Sequence, residues 1–168
     1  MGVKFKAKTN KFPSMIASVK ALDGKKISVG VLRGEHKWLA SIHEYGCRIP
    51  VTDKMRNWLK ANGLPLKSST TEIVIPERSF LRAGFDKYHE QVLDKANLLE
   101  PLFIDGTISE EEFFDTIGNL LADRIKDYAE DLNSPAKHPF TLQQNGNKAN
   151  PLVDSGNMIN EGITYEVE

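Results

Sequence analysis

The sequence predicts a mixed α/β domain of the α+β type: a mainly antiparallel sheet packed against two long antiparallel helices, with short helices and a long irregular loop near the C-terminus. Three observations carry this. Apolar residues recur with helical spacing over 81–99 and again over 113–132, separated by a short turn. Short runs rich in branched side chains, bounded by Gly, Pro or Asp, recur as strands before and after them. The chain has 168 residues, 40 % of them hydrophobic, which suits one domain over 1–168 with its own core.

Taken in order, Val3-Lys4-Phe5-Lys6-Ala7-Lys8 alternates with period two and predicts an edge strand guarded by lysines. Phe12, Ile16, Val19 and Leu22 switch to helical spacing, with Pro13 tolerated in a first turn. Asp23-Gly24 breaks that helix, and 26–32 reads as a strand. A helix over 36–45 should turn Ile42 and Tyr45 inward and stop at Gly46. Arg48 to Val51 is extended around Pro50. Thr52 should cap a short helix over 53–61, ended by Asn62-Gly63. Glu72 to Ile75 is a strand stopped by Pro76. The long helix that starts at Ser79 should end near Pro101, and Ser109 with Glu112 forms a capping box for the next. Residues 133–150, rich in Pro, Gln and Asn, predict an irregular, mobile loop or arm. A short helical piece at 157–161 and a strand over 163–167 close the sheet.

The 22 basic and 23 acidic side chains leave a net charge of −1, which gives no chain-wide reason for a polyanion partner. The signs are nevertheless separated: lysines dominate up to Lys26, whereas 109–133 is acidic. Such poles suit side-by-side contact of identical subunits as well as a plain solvated helix face. Cys47 is alone, so it closes no intrachain disulfide, and folding in a reducing compartment is expected. No secretory signal or membrane-spanning run is read from the sequence.

Tests for chemistry point away from an enzyme. His43, Glu44 and Cys47 stand close in sequence, but Gly46 should end the helix before Cys47, and Glu44 would point away from His43. The four histidines show no i, i+4 metal pair, and the glycines form no phosphate loop, so neither metal nor cofactor is expected. A stacking platform for nucleic acid would need Phe5 beside the lysines, whereas the period places it opposite them. Lys4, Lys6 and Lys8 could still line a channel that passes DNA without gripping it.

Read together, His43-Glu44-Tyr45-Gly46, then 52–59 (TDKMRNWL), then 75–82 (IPERSFLR), then 150–158 (NPLVDSGNM) with 163–167 (ITYEV) resemble ordered blocks of tailed-bacteriophage minor tail and tail-completion (neck, head–tail joining) proteins. Ser79 stands where that family usually has Pro, and Met158 where Leu is common. The resemblance implies a non-enzymatic virion protein that forms a homo-oligomeric ring, a hexamer, at the head-proximal end of a tail. It further implies contact with a tail tube or tail terminator protein and with a head-closure or connector protein, location in the virion, and assembly in host cytoplasm. A tail terminator, another minor tail protein or a DNA-binding accessory protein are the alternatives.

Candidate interface residues follow. Arg78 and Arg82, four apart on one helix face, could pair with acidic groups of a neighbouring subunit or, equally, with the acidic helix over 110–131. Glu44 marks a helix end at the tight turn of Gly46. Trp58 reads as core or as an interface anchor. Lys137 and Lys148 bound an arm expected to order only against the tail tube or connector.

Overall fold

The computed structural model describes residues 10–168. Among them it places α1 at Phe12–Leu22, β1 at Ile27–Val31, α2 at His36–Tyr45, β2 at Cys47–Pro50, α3 at Asp53–Ala61 and β3 at Glu72–Ile75. There follow α4 at Leu81–Ile104, α5 at Glu110–Asp131, α6 at Pro139–Gln144, α7 at Asn157–Asn160 and β4 at Ile163–Val167. The strand expected over Val3 to Ala7, with Lys4, Lys6 and Lys8, lies outside the described residues.

The α4–α5 hairpin organises the molecule. The N–H groups of Thr107 and Ile108 both donate to the Leu102 carbonyl, and Gly106 turns the chain with φ +80°. Ser109 and Glu112 then form the expected capping box at the start of α5. From α5, Phe113, Ile117, Leu121 and Ile125 are buried, joined by Val92 and Phe103 of α4. Phe80, at the foot of α4, is fully buried, which contributes about 2–3 kcal/mol by removal of apolar surface from water.

Strand β4 returns the C-terminus to β1 in antiparallel register, Ile27 opposite Val167 and Val31 opposite Ile163. This ribbon lies on α5, where Tyr165 covers Gly118 and its hydroxyl donates to Asp115 Oδ1 at 2.6 Å. Strands β2 and β3 make a second antiparallel ribbon, Cys47 opposite Ile75 and Pro50 opposite Glu72. Among the described residues the strands are thus divided between two ribbons and not gathered in one sheet. Pro76 stops β3 at one end of this ribbon, and at the other the Val51 N–H still donates to the Thr71 carbonyl at 2.8 Å beyond Pro50.

Several local expectations are revised. Helix α4 runs through Pro101 to Ile104, because a hydrophobic seat for Phe103 outweighs one missing helical hydrogen bond. It begins at Leu81, two residues after the expected start. The stripe Phe12, Ile16 and Val19 of α1 faces outward, at 72, 54 and 53 % exposure, while Ala21 and Leu22 pack against the core. Within 133–150, expected to be irregular throughout, Pro139 supplies the first turn of α6 and His138 Nδ1 accepts from the Phe140 N–H.

Candidate functional site

Residues of α2 four apart share a face, and Ala40 with Glu44 is the face turned inward. The sequence predicts that direction for Tyr45 and Ile42; instead Tyr45 is 65 % exposed and Glu44 only 2 %. The reason is the start of α4. The first N–H groups of a helix have no partner within it, and here the cap residue is Phe80, which offers no acceptor. Glu44 supplies it from another helix. Its Oε2 accepts from the N–H groups of Phe80 at 2.8 Å and Leu81 at 2.9 Å. Its Oε1 accepts from Arg82 N at 3.1 Å, Arg82 Nε at 2.9 Å and Ser79 Oγ at 2.9 Å. Burial pushes this carboxyl's pKa up, but donation from Leu81, from Arg82 and from Ser79 outweighs it and holds the group below its ordinary value.

Arg82 completes the corner. Its guanidinium also donates to the Glu44 carbonyl at 3.2 Å and to Glu77 Oε1 at 2.7 Å, and sits 4.9 Å from the centre of the Tyr45 ring. Gly46 fits where no other residue would: φ is +73°, and a Cβ would stand 2.9 Å from both Glu77 N and the Ile75 carbonyl oxygen. Helix stop, strand β2 and the approach to α4 thus meet at one backbone contact.

Arg78 precedes α4 and shares no helix face with Arg82, contrary to the sequence reading. It is 7 % exposed. Its N–H donates to the His43 carbonyl at 2.7 Å; its Nε donates to the Pro135 carbonyl at 2.8 Å and a terminal nitrogen to that of Ala136 at 3.3 Å. The other terminal nitrogen lies 3.3 Å from His43 Nδ1. A guanidinium only donates, so His43 is neutral with its proton on Nε2. Burial first, then Arg78 and Lys137, lowers its pKa from 6.5 to about 4. Neither arginine reaches the acidic helix α5: Arg82 is taken by Glu44 and Glu77, and Arg78 by backbone carbonyls and His43. A buried Arg78 is also unavailable as an exposed pairing group for a neighbouring subunit.

Lys137 and Lys148 are held within the chain. Lys137 Nζ donates to the carbonyls of Val153 at 2.6 Å and Lys148 at 3.2 Å, and Lys148 Nζ donates to the Asp154 carbonyl. Segment 133–150 is therefore tied at both ends, by Arg78 and by these lysines. Trp58 is not core: it is 57 % exposed on α3, while its neighbour Leu59 is buried. At the ribbon, Tyr45 and Val74 are exposed apolar side chains, at 65 and 56 %. Cys47 is half-buried beside them, with its thiol directed to the Arg48 carbonyl at 3.8 Å.

The arrangement joins segments: at one corner the ends of α2 and β3, the start of α4 and residues 135–136 are locked by charge-assisted bonds. Sequence reasoning identified Glu44, Arg78 and Arg82 but missed their partnership. The available signal was a first turn of α4 without any acidic residue, which leaves its N–H groups needing an acceptor from elsewhere. Among the described residues no helix is long and apolar enough to cross a membrane. Compared with family models, with curated proteins and with solved structures, the chain matches none.

Proposed function

We propose that this chain is a non-enzymatic structural protein of a tailed-bacteriophage virion, which assembles as a ring at the head-proximal end of the tail and helps join tail to head. The observation that carries the reading is the convergence of the first and third resembling blocks. Glu44 of the first block receives the backbone and side-chain donors of Ser79 to Arg82 in the third, and Gly46 lets the two approach. Two stretches that resemble separate blocks of one family, 43–46 and 75–82, here build one corner. Beside that corner Tyr45 and Val74 are exposed, and Trp58 is exposed on α3, side chains suited to protein contact. Arg82, Glu44 and Arg78 act in this reading by holding the corner, not by reaching across to a neighbour.

Light scattering on the purified protein, alone and with tail tubes of the same virus, tests the proposal. A ring, or a monomer that becomes a ring on the tube, is the expected result. A monomer whose mass the tubes leave unchanged would sink it.

A further inference from the structure

A cavity of about 540 Å³ lies between α2, β3 and the segment over 137–154. Ile73, Val74 and Ile75 all line it. Successive side chains of a strand point to opposite faces, so three consecutive lining residues place the cavity along the edge of β3 and not over one face. Among the described residues that edge is unpaired, since β3 bonds to β2 alone. Leu39 and Val74, 38 and 56 % exposed, form its apolar wall.

The far wall is cationic. Arg78 and Lys137 both line the cavity, and among the described residues neither has a carboxylate within ion-pair distance. Backbone carbonyls accept from both, which satisfies their hydrogen bonds but leaves their charge uncompensated. Asp154 is the single acidic residue of the lining, and its attraction to Lys137 is opposed by the nearby Lys148 and Arg78. A half-open slot with a free strand edge on one side and two cations on the other matches a definite ligand chemistry.

We infer that this cavity receives an extended acidic peptide segment of a partner protein, which adds to the free edge of β3 and sets a carboxylate against Lys137, with the buried Arg78 adding its charge from behind. The site stands on the cavity and its charge, independent of whether the chain forms a ring.

The test uses the full chain, isotope-labelled, and a fluorescein-labelled capped peptide Val-Glu-Val-Asp-Val, with Val-Gln-Val-Asn-Val as its neutral counterpart. The acidic peptide should bind about tenfold more tightly or better, a difference that alternate-charge recognition readily supplies. It should shift amide resonances of 73–75 and 137–154. Lys137→Met should weaken it about tenfold, and so should Leu39→Asp, which places a like charge on an exposed wall position and so serves if the first variant unfolds. Equal affinity for the two peptides, no binding of either, or shifts confined to other residues would overturn the inference. So would inorganic phosphate moving these resonances where the acidic peptide does not, which would reduce the site to a small-anion pocket.

Discussion

The hairpin side of the molecule and the lobe over 47–77 are built by different physics. On the hairpin side, α4, α5, α7, β1 and β4 share a continuous core in which Phe80, Ile125, Ile159 and Ile163 are at most 2 % exposed. In the lobe, Leu59 is the one buried residue between 47 and 77. What holds the lobe is polar. Arg56 donates to the carbonyls of Lys67 at 2.8 Å and Thr70 at 2.7 Å, Val51 N–H to that of Thr71 at 2.8 Å, and Arg48 pairs with Glu72 at 3.2 Å. Each such bond contributes about 0.5–1.5 kcal/mol, so the lobe keeps its shape without supporting the rest. A dense foundation carries a lightly built projection, and Glu44 stands where they meet.

The largest effect should therefore come from breaking that junction. Glu44→Ala removes the acceptor of three backbone N–H groups, a hydroxyl and a guanidinium, and should cost about 3–5 kcal/mol. Glu44→Gln keeps an acceptor oxygen and should cost less. Urea denaturation measures both; a loss under about 1 kcal/mol for the alanine variant would mean that the junction contributes little.

Within the foundation, Gly118 is a tight point, because a Cβ there would overlap the Tyr165 ring. Gly118→Ala should destabilise by about 1–3 kcal/mol, the ordinary cost of overpacking, although alanine favours a helix. Unchanged thermal stability would show that β4 can lift off α5 freely.

The same contrast explains what was legible in the sequence. The foundation announces itself: the stripe of α5, the capping box and the strand over 163–167 are local signals, and they appear as read, although burial along β4 falls off toward Val167 instead of alternating. The lobe and junction rest on contacts between residues far apart in sequence. Nothing near Glu44 marks it as the cap of a helix starting 37 residues on, between Glu44 and Leu81. Arg78 reads as a helix-face residue until its bonds to 135–136 are seen. Trp58 and the stripe of α1 look like core by composition, but burial depends on what packs against them, which periodicity does not encode.

A pH titration sharpens the comparison, since His43 sits at the junction and not in the foundation. Its folded pKa is lowered to about 4 against an ordinary 6.5, so between these values the unfolded chain binds the proton and the folded protein does not. Stability is complete above pH 6.5 and falls as the pH drops toward 4. Glu44 acts lower: with its pKa held below 4.5, its contribution is present above that value and lost beneath it. His43→Asn should flatten the fall between pH 6.5 and 4.5 and keep the steeper one below. Parallel melting curves for both proteins across the upper window would remove His43 from the account.

The smallest effect on the fold should come from the tip of the lobe, where Trp58 is 57 % exposed. Trp58→Ala removes little buried surface, so its melting temperature should stay within the shift that about 0.5 kcal/mol produces. Its effect on association should be the reverse, because an exposed aromatic on a protein surface is the kind of side chain that dominates a contact once desolvated. On the proposed ring, the variant should need at least about tenfold more protein to reach the oligomeric mass. Equal assembly by a stable Trp58→Ala protein would move the contact elsewhere, with the outward stripe Phe12, Ile16 and Val19 of α1 the next surface to truncate. Loss of stability together with assembly would instead show that the lobe is tied into the foundation through Trp58, and the division between the two regions would fail.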